Sequence, residues 1–107
     1  GETLRDACNR ELQEEIGFAA REFVFLKKLS LSPSYMSGGI HVVVARDLYE
    51  SRLEGDEPEP LELVPWKLKN LSELYCREDF TEGRALAAIT LAQAYLSGEF
   101  EGEVLNA

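Results

Sequence analysis

Between Thr3 and Gly17 the apolar residues Leu4, Ala7, Cys8, Leu12 and Ile16 recur at helical spacing, and both ends of the stretch carry boundary signals. The Thr3 hydroxyl can accept a bond from an orphan amide at a helix start, and Gly17 tolerates the left-handed backbone that closes one. The spacing predicts a helix over residues 4–16. Strand-forming runs follow directly: Phe23–Leu26 leads into Leu29 and Leu31, and after a loop rich in Ser, Pro and Gly comes Ile40–Ala45. A helix with one apolar stripe followed by two strands implies α+β or α/β layering, because the stripe needs a sheet face to cover it.

The acidic stretch Leu53–Glu62 contains Pro58 and Pro60, which lack amide donors, so it reads as a loop and not a central strand. Leu63–Trp66 suggests a short edge strand, and Asn70 or Ser72 begins a brief helix running to about Cys76. Ala85, Ala88, Ile89, Ala92, Tyr95 and Leu96 recur at i, i+3, i+4 spacing, which predicts an amphipathic helix over about residues 82–97, ended near Gly98. At 107 residues the chain is one domain or part of one. Its strands are few for a sheet flanked by helices, so further structure is expected ahead of Gly1.

Twenty acidic against eleven basic residues, a formal charge of −9, would repel a polyanion, so no nucleic-acid partner is expected unless cations intervene. No apolar run approaches the ~20 residues that span a bilayer, so no membrane partner and a soluble, cytoplasmic protein are expected. Cys8 and Cys76 stand far apart with no second pair and no His at zinc-like spacing, which indicates neither a disulfide framework nor a zinc site.

Glu11, Glu14 and Glu15 occupy one sector of the predicted helix, because residues three and four apart share a face. Three carboxylates at such spacing repel one another. They read either as a solvated face or as a hard all-oxygen ligand set for Mg2+ or Mn2+. Spacing alone leaves both open.

The opening run GETLRDACNRELQEEIGF resembles the Nudix box, G-x5-E-x7-R-E-U-x-E-E-x-G-U with U a bulky apolar residue. Glu2, Arg10, Glu11, Leu12, Glu14, Glu15, Gly17 and Phe18 fall in register, the aromatic Phe18 being a mild departure, and the leading glycine falls before Gly1. The resemblance implies a Nudix fold, α+β with mixed β-sheets, the box helix and a C-terminal helix. Residues 1–107 would be the C-terminal portion of a single hydrolase domain, incomplete at the N-terminus. It implies Glu11, Glu14 and Glu15 as metal ligands, Glu15 also acting in catalysis. Arg10 would orient the glutamates, and Glu2 would support the loop. The cofactor implied is Mg2+ or Mn2+.

The stretches FLKKLSLSPSY and VVVARDLYESRLEGDEPEPLELVPW resemble the bacterial branch acting on ADP-ribose, NADH and diadenosine polyphosphates. In that superfamily a proline about fifteen residues beyond the box marks ADP-ribose enzymes, and a slightly later tyrosine marks diadenosine polyphosphate enzymes. Pro33 and Tyr35 occupy these places; a stiffened turn and a packed ring would look the same. The acidic Asp56–Glu59 matches the loop from which such enzymes take further catalytic groups. Glu57 is thus the candidate base and Glu59 a candidate metal ligand, against a plain solvated charge run. His41 reads as a structural strand residue and Trp66 as a packing one. The expected partner is a small nucleotide substrate split to release AMP, in a homodimer. The competing reading is a nucleotide-binding or regulatory module without turnover, for which loss of box glutamates would be the sign.

Overall fold

The computed structural model describes residues 1–30, 38–55 and 61–106. Helix α1 spans Leu4–Ile16, and both of its boundaries are chemically explicit. Thr3 Oγ1 accepts from the Asp6 amide at 3.1 Å, and Gly17 closes the helix at φ 77°. Directly after Gly17 the chain turns into strand β1, Phe18–Ser30, which pairs antiparallel with β2, Gly39–Glu50.

Both strands are longer than their apolar runs predict. Phe18, Ala19 and Ala20 lie opposite Glu50, Tyr49 and Leu48, so long-range pairing supplies an extension that local preference does not. Leu26 is the extra residue of a bulge between the Phe25–Val43 and Lys27–Val42 pairs. A second irregularity sits at Asp47, whose φ of 60° is left-handed, a conformation that aspartate tolerates better than most residues. Strand β3, Glu103–Val104, pairs with Phe25 and Val24 on the other edge of β1, giving the antiparallel order β2-β1-β3.

The chain divides into two compact units, one of Gly1–Glu62 with the segment from Gly102 onward, the other of Leu63–Glu101. In the first, Ala19, Ala20, Phe23, Val24, Leu26 and Val42 are buried. Gly102 lies so close to β1 that a Cβ there would stand 2.5 Å from Val24 Cγ1 and 2.8 Å from Leu26 Cδ2. Phe23 belongs to the face met by α1: the Arg5 guanidinium covers its ring at 5.4 Å, and Asn9 Oδ1 accepts from the Ala20 amide.

The second unit holds a 3-10 turn at Leu68–Asn70, α2 at Leu71–Tyr75 and α3 at Gly83–Leu96. Glu82 caps α3 by accepting from the Ala85 amide at 2.9 Å. The edge strand expected at Leu63–Trp66 is absent. Leu63 and Val64 are exposed, and residues 61–67 have no regular structure, because strand propensity without a partner edge does not make a strand. Trp66 is held within its own segment, its indole N–H donating to Asn70 O at 2.8 Å and its ring facing the Arg77 guanidinium.

Candidate active site

Helix α1 presents Glu11, Glu14 and Glu15 on one side, and Arg10 organises the neighbourhood. Its Nε and Nη2 donate to the two Glu2 oxygens at 2.7 and 3.1 Å, while Nη1 donates to Glu14 Oε2 at 3.2 Å. Glu11 Oε1 stands 3.9 Å from Nη2, the outer edge of an ion pair. The planar fork of arginine suits this bidentate grip on one carboxylate with a donor left for a second. Its consequences show in the proton affinities. The hydrogen bonds from Arg10 hold the Glu2 carboxyl below its ordinary value, and the same contacts push the Arg10 guanidinium upward.

Between α1 and the sheet lies an open depression of about 230 Å³, lined on the helix side by Cys8, Glu11, Leu12 and Glu15. Phe23, His41, Val43 and Ala45 form its sheet side. Two of the three carboxylates thus rim an apolar floor. Burial, aided by the Glu11 charge, pushes the Cys8 thiol up, which keeps it protonated and a poor nucleophile. His41 lines the same depression, its ring 5.9 Å from that of Phe25. The period-two alternation His41, Val43, Ala45 puts all three on one strand face and so brings His41, a structural strand residue by sequence, to the depression.

Among the described residues no three His, Cys, Asp or Glu side chains are gathered closely enough to hold a metal ion. The donor set nevertheless fits a hard divalent cation. It is all oxygen, it lies on one helix face, and Glu11 and Glu15 are exposed enough to turn, while Glu14 is already drawn to Arg10. Pro33, Tyr35, Glu57 and Glu59 lie outside the described residues.

A strap crosses the end of α1. Ser51 N donates to Gly17 O at 3.0 Å, Ser51 Oγ to Gln13 Oε1 at 2.6 Å, and Leu53 N to Gln13 O at 3.2 Å. Arg52 Nη1 donates to Glu14 O at 3.0 Å. These bonds join residues far apart in sequence, and most of them end on backbone atoms, so no local pattern marks them.

The NUDIX domain model matches residues 1–89. The chain is 50% identical over 99 residues to ADP compounds hydrolase NudE of Escherichia coli (strain K12), covering 92% of this chain and 53% of that protein. A crystal structure of an ADP compounds hydrolase superposes with a TM-score of 0.87 at 49% identity, covering 92% of this chain and 54% of the other. The chain thus spans about half the length of the relatives it matches.

Proposed function

Because the chain belongs to the Nudix family, we propose that it is the C-terminal portion of a single hydrolase domain. Its reaction is cleavage of the diphosphate in ADP-linked nucleotides such as ADP-ribose, NADH and diadenosine polyphosphates, with release of AMP. The observation that carries the reading is the intact carboxylate set on α1, with Glu14 tied through Arg10 to Glu2. A binding module without turnover has no need to keep that set.

Glu11, Glu14 and Glu15 would hold Mg2+ or Mn2+, with Glu59 as a further ligand. When bound, the cation neutralises phosphoryl oxygens and makes the attacking water more acidic. Arg10 acts through Glu14: by donating to one carboxylate oxygen it leaves the other to face the cluster, and its second grip on Glu2 fixes the entry to α1. Glu57 takes the proton from water, provided its loop brings it within hydrogen-bond reach. Pro33 and Tyr35 set the approach of the nucleotide.

The net charge of −9 argues against a nucleic-acid substrate. Among the described residues no helix is long and apolar enough to cross a membrane. A cytoplasmic homodimer completes the proposal, on family likeness.

The test is Mg2+-dependent AMP release by the complete protein. Glu14→Gln and Glu15→Gln should each lower kcat by orders of magnitude while the metal-free melting temperature scarcely falls, since relief of like-charge repulsion offsets what Glu14 loses at Arg10. Near-wild-type turnover in both variants at saturating Mg2+ would overturn the ligand assignment. Stoichiometric nucleotide binding with no AMP release would favour the regulatory module.

A further inference from the structure

Glu14 is held at three separate points. Arg10 Nη1 reaches its carboxylate, Arg52 Nη1 reaches its carbonyl oxygen, and Gly55 passes so near that a Cβ there would lie 3.0 Å from Glu14 Cβ. The last two belong to the strap that leaves β2 and runs back over the final turn of α1. The last four carbonyls of a helix have no partner within it, and here Leu53 N and Arg52 Nη1 supply two of them, at Gln13 and Glu14. That turn carries two of the three box glutamates.

Gly17 has a second reason to be glycine. Beyond its φ of 77°, a Cβ at this position would lie 3.2 to 3.4 Å from Nε, Cζ and Nη2 of Arg52, so the bare backbone leaves room for the planar guanidinium. Arg52 also brings a cation to the negative end of the α1 dipole. It donates there to a backbone carbonyl, Glu14 O.

We propose that Arg52 is a positioning residue for the carboxylate cluster: its bond to Glu14 O fixes the last turn of α1 and so the direction in which Glu14 and Glu15 present oxygen to a divalent cation. The inference rests on the hydrolase reading above and adds to it a residue outside the box, 38 positions along the chain from Glu14. Lysine could reach the same carbonyl with one donor but would lose the flat contact over Gly17.

The experiment uses the complete protein and Mn2+ as probe, with free Mn2+ read by electron paramagnetic resonance in the absence of substrate. Arg52→Gln should weaken Mn2+ binding by about tenfold or more, the usual effect of removing a group that orients a ligand. The Mg2+ concentration for half-maximal AMP release should rise in step, while kcat at saturating Mg2+ stays near wild type. Arg52→Lys should recover part of the affinity. Gly55→Ala deletes no hydrogen bond but crowds Glu14 Cβ, so it should weaken Mn2+ binding even if Arg52→Gln fails to fold. Gly102→Ala, which strains β1 away from α1, is the stability control and should lower the melting temperature with Mn2+ affinity intact.

Unchanged Mn2+ affinity in Arg52→Gln, or in Gly55→Ala where the former does not fold, overturns the positioning role while the hydrolase reading stands. An equal loss of affinity in Gly102→Ala overturns it too, by showing a general effect of stability. A wild-type protein that takes up no Mn2+ and releases no AMP overturns both.

Discussion

Arg10 donates three hydrogen bonds to two carboxylates, and one of those carboxylates, Glu2, stands just ahead of the helix that Arg10 belongs to. The pair therefore couples the loop to α1 by charge, and the coupling has a pH signature. The Glu2 carboxyl lies below its ordinary 4.5 in the folded chain, so its contribution to stability is present above that value and is lost as the pH falls through the lower, folded one. Glu2→Gln lacks the contribution at every pH. The melting-temperature gap between wild type and Glu2→Gln should be widest near neutrality, begin to narrow below about pH 4.5 and close in stronger acid. A gap that stays constant through that range would show the salt bridge to be energetically silent, as many exposed pairs are.

At the level of elements, what the sequence made legible was whatever depends on neighbours. Helix α1 runs over the expected residues because Thr3 and Gly17 act on their own backbone, and the Glu11, Glu14, Glu15 face follows from the helical period alone. The ends of β1 and β2 were not legible, since Ala19 and Ala20 are strand residues by virtue of Tyr49 and Leu48 opposite them. Leu63–Trp66 failed for the converse reason, having the right composition and no edge to join. The Arg52 strap was invisible because arginine bonded to a distant carbonyl leaves no spacing rule behind. Gly102 is the same kind of residue, defined by a distant surface. Gly102→Ala should cost about 1 to 3 kcal/mol in denaturant unfolding, as for an overpacked core, because Val24, Leu26 and the Phe25 carbonyl leave no room. Gly83→Ala, at the open first turn of α3 with nothing within 4 Å, should instead stabilise by about 0.4 to 1 kcal/mol. Equal effects at the two glycines would contradict this reading of the packing.

For the molecule as a whole, the apolar side chains buried among the described residues are few, and those of the first unit lie on β1 and β2. A core of that size is marginal against chain entropy, and the relatives that share the fold are about twice as long. Residues 1–107 expressed alone should therefore unfold with a broad transition and release AMP from ADP-ribose far more slowly than the complete protein. A sharp transition with full activity would show that this part of the domain is self-sufficient. The sheet order also bears on synthesis. Val24 pairs with Val104, and Phe23 O accepts from Leu105 N, so one edge of the central strand waits for residues made some eighty positions later. On the ribosome, α1 and the β1–β2 hairpin can form while Val24 and Phe25 still await these partners, and unpaired strand amides are where nascent chains stick to one another. Slow synthesis of residues 63–101 would lengthen that wait.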